Sequence, residues 1–205
     1  MNDALKRISA AAAQGSKTLN LRGLGLDDLP EEIGTLTTLE ELDLSRNALR
    51  QLTPSLVGLD QLAKLDLSRN QLKWFPSELC GLTSLRSLNA SDNAIKDVPA
   101  SISTLIALEE LDIGFNKLER LPRELFALPR LRKLELSGNQ LKLLPREVGQ
   151  MKELVELWVV DNPFSVLPKE IWTLPKLSWL HLDGEQFGQV PEAVRKRGKP
   201  TLQVV

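Results

Sequence analysis

The sequence predicts an elongated α/β solenoid in which each of eight units adds one short parallel strand to a concave sheet. Leucine recurs at an unbroken interval of 23 residues, at Leu19, Leu42, Leu65, Leu88, Leu111, Leu134, Leu157 and Leu180. Each of these leucines begins the same phrase, which from Leu134 onward reads Leu-Glu-Leu-Ser-Gly-Asn-Gln-Leu-Lys-Leu-Leu-Pro. Such a constant period marks units that cannot bury a core alone and must stack to form one.

Each unit combines a strand with one helical turn. The alternation around Leu111 and Ile113 has the two-residue period of a strand. A leucine–proline pair then predicts extended backbone, because proline bars its predecessor from helical torsions. Leu125 and Leu128, three residues apart, predict a single helical turn on the outer face. In the second unit the proline moves by one residue, to Pro54, and we expect the outer face to be distorted there.

An asparagine column accompanies the leucines and could be read as a binding site. Its members are Asn47, Asn70, Asn93, Asn116, Asn139 and Asn162. Each lies where a strand turns away and backbone groups lose their partners in the sheet. An amide side chain supplies both donors and an acceptor to such groups, so we interpret the column as structural.

Both ends carry predicted caps. Residues 3–14 have the pattern of an amphipathic helix that ends at Gly15. Its predicted apolar face comprises Leu5, Ile8, Ala11 and Ala12. Residues 191–197 resemble a last helical turn with a basic end, and the tail at 201–205 has strand character that suits the final sheet edge. The predicted divisions are a capping helix at 1–17, a repeat domain at 18–194 and a C-terminal cap at 195–205.

Composition argues against several classes of function. With a net charge of −1, the chain has no overall basic field to attract nucleic acid or an anionic membrane. Cys80 is the only cysteine, so disulfide-bonded end caps cannot form and a reducing compartment is expected. The apolar run Ala10–Ala13 is too short for a signal-peptide core, and no stretch is long enough to span a membrane. We therefore expect a cytoplasmic protein that binds neither nucleic acid nor membrane.

The repeated phrase resembles the intracellular, 23-residue class of leucine-rich repeats. That class includes Ras-binding scaffold proteins, Ras-suppressor proteins, plant Ras-group repeat proteins and the repeat segments of Roco proteins. The stretch from Ala4 to Gly15, running on to Leu29 and Pro30, is similar to the beginning of bacterial Roco-type repeat segments. The resemblance implies a right-handed leucine-rich repeat solenoid, or horseshoe, that recognises proteins through its concave sheet. It also implies a signalling partner such as a small GTPase, a phosphatase or a kinase.

The residues give little support for catalysis, and we expect no enzymatic activity and no cofactor. No Gly-x-x-x-x-Gly-Lys-Ser/Thr loop is present, so the nucleotide binding of Roco GTPase domains does not carry over. One histidine and one cysteine cannot build a zinc site of the usual kind. His181 has Asp183 two residues on, but Ser137 lies two repeats away, roughly 10 Å by strand spacing. A catalytic triad needs contacts near about 3 Å.

The concave surface consists of the positions that the repeat leaves free, and acids outnumber bases among them. The residues singled out are Asp43, Asp66, Asp112 and Glu135 on the strands, and Arg46 and Arg69 beyond the strand ends. An acidic face on a nearly neutral chain predicts a protein partner with a basic patch. The alternative is a sheet face that is merely solvated.

Aromatic residues replace the acids toward the C-terminal end of this face. Trp158 and Trp179 lie on successive strands, with His181 and Val160 as neighbours, and Phe115 lies two repeats earlier. Large rings surrounded by charges have the composition of an interface hot spot, so we predict that Trp158, Trp179 and Phe115 anchor the partner and that His181 and Val160 belong to the same binding surface. The alternative is that the C-terminal cap folds over Trp179 and hides it.

Two further tryptophans lie outside the concave face. Trp74 and Trp172 occupy outer-face positions, where a bulky ring suits packing against the core. We therefore interpret both as packing residues.

The main functional hypothesis is a non-enzymatic interaction module or scaffold that binds a signalling protein through the concave face. A second hypothesis is a secreted bacterial effector or virulence factor that acts on host proteins through the same surface. A third, an enzyme with an unrecognised site, has little support in the residues.

Overall fold

Nine parallel strands form one open sheet in the computed structural model, which describes residues 2–164, 166–188, 190–192, 196 and 200–204. The strands follow one another in chain order. Their bounds are Thr18–Asn20 (β1), Glu41–Asp43 (β2), Lys64–Asp66 (β3), Ser87–Asn89 (β4), Glu110–Asp112 (β5), Lys133–Glu135 (β6), Glu156–Trp158 (β7), Trp179–Leu182 (β8) and Thr201–Val204 (β9). The predicted repeat solenoid with a parallel sheet is confirmed.

The leucine period sets the register of this sheet. In β1 to β7 the central leucine is buried and its two neighbours lie on the opposite, concave side. Strand pairing joins residues 23 positions apart, as Leu42 pairs with Leu65 and Leu65 with Leu88. The leucines of successive units therefore stack into one continuous core between the sheet and the outer face.

A single 3-10 turn forms the outer face of each of seven described units. These turns span Glu31–Thr35, Pro54–Gly58, Ser77–Gly81, Ala100–Thr104, Arg123–Ala127, Arg146–Gln150 and Lys169–Thr173. Each buries an isoleucine, leucine or valine at its centre, which confirms the predicted helical turn.

The distortion expected at Pro54 does not shift the outer face. The 3-10 turn of the second unit, Pro54–Gly58, keeps the 23-residue register of its neighbours. Pro54 begins this turn, where its missing N–H costs nothing, and Thr53 takes the preceding position. The Thr53 hydroxyl accepts the backbone N–H of Ser55 at 3.4 Å. The prediction of a local distortion of the outer face is therefore wrong, because this unit forms the same 3-10 turn as its neighbours.

The asparagine column has the predicted structural role. Asn116 donates from Nδ2 to the carbonyl oxygens of Ala90 and Ile113 at 3.0 and 3.1 Å, and its Oδ1 accepts the N–H of Ile95 at 3.0 Å. Equivalent bonds recur at Asn47, Asn70, Asn93, Asn139 and Asn162. Each amide therefore ties its own turn to that of the preceding unit.

The N-terminal helix α1 spans Asn2–Gln14 and packs on the first unit. Its buried face comprises Ala4, Ile8 and Ala11, with Leu5 half-buried. Ala12, which was predicted to lie on this face, is exposed, because the packed stripe runs one residue nearer the N-terminus. Gly15 ends the helix with a φ of +58°, a conformation that favours glycine.

The C-terminal tail covers the last repeat strand, as predicted. Strand β9 pairs with β8 in parallel, with Leu202 opposite Leu180. A short helix, α2, spans Gly184–Gly188 and was not anticipated. The helical turn predicted at 191–197 and the boundary predicted at 194/195 fall largely outside the described residues. Among the described residues, no helix has the length and apolar character to cross a membrane.

Candidate functional site

Four columns of side chains make up the concave face and its rim. Column one takes the first residue of each repeat strand, from Thr18 to Trp179, and column two takes the third, from Asn20 to His181. Columns three and four take the next two positions that follow the strand and its buried neighbour. Because the units are in register, each column repeats every 23 residues and every member neighbours its equivalents.

The acids of column two are tied to the backbone. One side-chain oxygen of Asp43 accepts the N–H of Ser45 at 2.9 Å, and Glu135 accepts the N–H of Ser137 at 2.7 Å. Asn20, Asp66, Asn89 and Asp112 make the same bond to the residue two positions on. The predicted partner-binding residues Asp43, Asp66, Asp112 and Glu135 therefore have a structural role as backbone acceptors in addition to their charge.

Two of these carboxyl groups, those of Asp112 and Glu135, have raised pKa values. Burial raises the pKa of Asp112, and the neighbouring Asp66 adds to the rise, while Lys133 opposes it. Burial likewise raises the pKa of Glu135, with a further contribution from Asp112. The middle of the concave face thus holds closely spaced negative charge, which a cationic partner would relieve.

Column four lies in the left-handed backbone region in the first seven units. The φ angles of Arg46, Arg69, Asp92, Phe115 and Asp161 lie between +51° and +57°. Arg69 contacts Asp92 of the next unit at 3.2 Å, so its charge is paired within the face. Arg46 is exposed, with no ion pair among the described residues. Of the two arginines predicted to contact a partner, only Arg46 therefore carries an unpaired charge.

Phe115 is an exposed ring supported by a glycine. Its side chain is 55% exposed. A Cβ added to Gly138, the next member of column four, would lie 2.5 Å from Cδ1 of Phe115. The ring therefore covers the bare backbone of Gly138. Among the described residues, no ring contact joins Phe115 to the tryptophans of the last two units.

Column two changes from acid to aromatic at Trp158. The Trp158 indole stacks on the His181 imidazole, with ring centroids 3.3 Å apart and planes 5° from parallel. The two side chains meet because Trp158 and His181 are register partners on β7 and β8. Trp158 has no oxygen to accept the N–H of Val160, so the acceptor series that runs through the preceding units ends here.

Glu156 holds this stack in place from column one. It accepts the Nε1–H of Trp158 at 2.8 Å. Lys133 lies 3.6 Å from the other Glu156 oxygen and 5.9 Å from the centroid of the Trp158 ring. Neither Glu156 nor Lys133 was among the predicted site residues, although both belong to a column that the sequence defines.

His181 and Val160 are buried, contrary to the prediction that they contact a partner. His181 is 3% exposed, because Trp158 covers the imidazole, and Val160 is also buried. Nε2 of His181 lies 3.5 Å from Oε1 of Glu156, and neither ring nitrogen has a hydrogen-bond partner among the described residues. Burial lowers the pKa of His181 and Lys133 adds to the shift, although Glu156 opposes it, so the surroundings favour the neutral imidazole.

Trp179 is the exposed member of the aromatic group. It is 42% exposed on column one, with Glu156 and Thr201 as register partners on either side. The described residues of the predicted C-terminal cap, 196 and 200–204, therefore leave Trp179 exposed, and the rest of that cap lies outside the described residues. We call the half-buried Trp158, the buried His181 and the exposed Trp179 the aromatic shelf.

The other tryptophans differ from one another. Trp172 is half-buried against the core, as predicted. Trp74 is 63% exposed, so its assignment as a packing residue is wrong. The next residue, Phe75, takes the core position instead.

No described cluster offers catalytic or metal-binding geometry. The Ser137 hydroxyl is buried without a hydrogen-bond partner, and no contact between described residues joins it to His181. Within the described ranges, no group of three histidine, cysteine or acidic residues is placed to hold a metal ion. Burial raises the pKa of the half-buried Cys80 thiol, which keeps it protonated and less reactive.

Comparison with known sequences identifies the repeat. A family profile described as leucine rich repeat matches residues 14–72, 37–95, 83–141 and 106–164. No curated protein shows significant sequence similarity to the chain.

Solved structures share the fold. Internalin C2 from Listeria monocytogenes superimposes with a TM-score of 0.80 at 23% identity, covering 98% of this chain and 92% of that one. Another internalin from the same organism gives 0.66 at 21% identity, with coverage of 87% and 46%. The ectodomain of the receptor kinase GASSHO1/SCHENGEN3 from Arabidopsis thaliana, solved in complex with CASPARIAN STRIP INTEGRITY FACTOR 2, gives 0.67 at 32% identity, with coverage of 77% and 20%. The chain spans about half of the second internalin and a fifth of the ectodomain.

Proposed function

Because the chain belongs to the leucine-rich repeat family, whose members are generally protein-interaction modules, we propose that it is a non-enzymatic module whose partner docks on the concave sheet. The observation that carries this proposal is the exposed Trp179 beside the fixed Trp158–His181 stack. The finer assignment to the intracellular, 23-residue class rests on the constant period and the leucine–proline pair.

The aromatic shelf suits an anchor because it is already ordered. Trp158 is held by His181 on one ring face and by Glu156 at its N–H, so it loses little freedom on binding. Trp179 offers a large apolar ring with a polar edge, the combination enriched at interface hot spots. A partner side chain that covers Trp179 would remove its exposed apolar area from water.

The acids of the concave face supply charge complementarity. Their negative field attracts a basic surface and repels polyanions, which favours a protein over nucleic acid or an anionic membrane. The adjacency of Asp112 and Glu135, which are register partners on β5 and β6, adds a local reason, because a partner lysine or arginine would relieve their mutual repulsion. By family resemblance we further propose a signalling partner, such as a small GTPase, a phosphatase or a kinase. The single thiol Cys80 favours a reducing, cytoplasmic setting.

No observation specifically supports the hypothesis of a secreted effector. Similarity to the internalins, at 21% and 23% identity, extends to the fold alone. The hypothesis stays a prediction from sequence.

Affinity capture with matched variants tests the proposal. The immobilised chain, its Trp179→Ala variant and a Leu143→Ala control are exposed to lysate of the native organism, and Kd is then measured for the captured protein. Leu143 is an exposed apolar residue outside the concave face, so Leu143→Ala controls for non-specific hydrophobic binding. We expect Trp179→Ala to weaken binding at least about tenfold and Leu143→Ala to change it less than about twofold. Equal affinity of all three proteins would refute a concave site.

A further inference from the structure

A basic stripe runs along one flank of the solenoid, between the asparagine turns and the outer-face helices. It consists of Arg50, Lys73 and Lys96, which occupy the same position in three consecutive units and are all exposed. The backbone fixes their register, because the N–H of Lys96 donates to the carbonyl oxygen of Lys73 at 3.2 Å. Arg50 contacts a neutral amide, that of Gln71, at 3.4 Å. Like charges one repeat apart, about 5 Å between backbones, repel one another.

The same flank is neutralised only a short distance away. Arg120 contacts Asp97 at 3.4 Å, and Lys142 contacts Glu119 at 3.2 Å. In the part of the chain that the structure describes, no ion pair of this kind neutralises the basic stripe. The repeat therefore allows charge pairing on this flank, but the described residues leave Arg50, Lys73 and Lys96 without an ion pair.

Trp74 lies beside the basic stripe without serving the core. It follows Lys73 directly, and its side chain is the most exposed ring among the described residues. The equivalent positions in the neighbouring units hold the neutral Gln51 and the acidic Asp97, whose charge is paired with Arg120. A large apolar ring exposed among unpaired cations has the composition of a binding surface rather than of a solvated flank.

The ends of the stripe limit what can bind there. Asp27 and Asp28 occupy the flank in the first unit, and Glu119 occupies it in the fifth, so a long polyanion would meet carboxylates at both ends. The stripe spans two repeat intervals, roughly 10 Å, the length of about three residues of extended peptide. We propose that the basic stripe and Trp74 bind a short acidic segment of a partner protein, with carboxylates on the stripe and an apolar side chain on Trp74.

This site is separate from the concave face and can be tested on its own. The probe is a synthetic peptide, acetyl-Ser-Glu-Leu-Asp-Leu-Glu-Ser-amide, titrated into the ¹⁵N-labelled full chain while the indole N–H signals are followed by NMR. A neutral peptide with glutamine and asparagine in place of the acids is the ligand control. Trp74→Ala and the double variant Lys73→Gln/Lys96→Gln test the site, and Arg120→Gln, on the same flank, is the matched protein control.

The acidic peptide should shift the Trp74 signal saturably and bind at least about fivefold more weakly to both site variants, but not to Arg120→Gln. Its affinity should also fall as NaCl rises from about 0.05 to about 0.3 M, because the contacts are exposed charges. Equal binding of the neutral peptide, or no effect of Trp74→Ala, would overturn the proposal. So would perturbation of the Trp158 and Trp179 signals alone. Binding of a single-stranded oligonucleotide or of anionic phospholipid vesicles without binding of the peptide would assign the flank to another class of ligand.

Discussion

The indole of Trp158 covers the imidazole of His181 in a parallel stack, with 3.3 Å between ring centroids. This contact is where the concave face changes character. Earlier units place a carboxylate or amide oxygen at the same position to accept a backbone N–H. The seventh and eighth units place two flat rings there instead, which bury each other and leave Trp179 as the exposed ring beside them.

Replacing Trp158 with alanine should raise the pKa of His181. Burial is the main cause of the lowered pKa, and the indole provides much of that burial. The variant should also lose about 2 kcal/mol of unfolding free energy, less than a fully buried tryptophan would. His181 is the only histidine in the chain, so one imidazole resonance reports its titration by NMR. The Trp179→Ala variant is the control, because it leaves the stack intact. An unchanged titration in Trp158→Ala would show that the stack does not set the pKa.

Replacing Gly138 with alanine should be more costly than replacing Gly23. Both glycines have a φ of +66°, so each substitution carries a backbone cost of roughly 1 kcal/mol. Only at Gly138 does the new Cβ collide with a ring, that of Phe115. We expect a further loss of about 1–3 kcal/mol there, measured by urea unfolding. Adding Phe115→Ala should remove the difference between the two sites, and a persistent difference would mean that the ring is not its cause.

Replacing Asn116 with alanine should destabilise the fold by about 3 kcal/mol. The buried N–H of Ile95 would lose its acceptor, and the carbonyl groups of Ala90 and Ile113 would each lose one of their two asparagine donors. Asn20→Ala is the control, because it removes one exposed hydrogen bond and should cost less than about 1 kcal/mol. Equal losses in thermal or urea unfolding would contradict a structural role for the asparagine column.

Replacing Asp112 with asparagine should stabilise the protein at neutral pH. The amide oxygen can still accept the N–H of Gly114, as Asn20 and Asn89 do at equivalent positions. A carboxyl group whose pKa is raised by folding contributes stability below its ordinary pKa and loses that contribution as the pH rises through the folded value. The gain from Asp112→Asn should therefore be present at pH 7 and absent below about pH 4.

Urea unfolding across this pH range measures that gain. Asp112→Ala also removes the acceptor, so it should be destabilised by about 1–3 kcal/mol. If Asp112→Asn were less stable than the wild type at pH 7, the carboxylate charge would be favourable in the folded state.

The sequence predicted the buried positions that recur in every unit. It did not predict the hydrogen bonds and the backbone conformation of the positions between them. Leucines and asparagines were assigned correctly because their burial recurs with the same spacing in each unit. Asp43 and Asp112 looked like free charges, because nothing in the pattern separates a solvated acid from one that accepts an N–H two residues on. The left-handed backbone at Arg46 and Phe115 was hidden because these positions are not glycines.

The candidate site was predicted only in part. Its location at the C-terminal end of the sheet followed from the change of residue type, and Trp179 is exposed as expected. The burial of His181 depends on the rotamer of Trp158, and the amino-acid sequence does not specify that rotamer. Trp74 was misassigned because a large apolar ring was taken to need the core, although the equivalent flank residues Leu143 and Val166 are exposed as well.

The most direct test of a concave binding site is an NMR titration of the ¹⁵N-labelled chain with the purified, captured partner. The four tryptophans give separate indole N–H signals, so each ring reports on its own surface. A concave site predicts that the Trp179 and Trp158 signals shift or broaden with saturation, while that of Trp172, packed against the core on the outer face, stays in place. Saturable binding that leaves the Trp158 and Trp179 signals unchanged would contradict a binding site on the concave face.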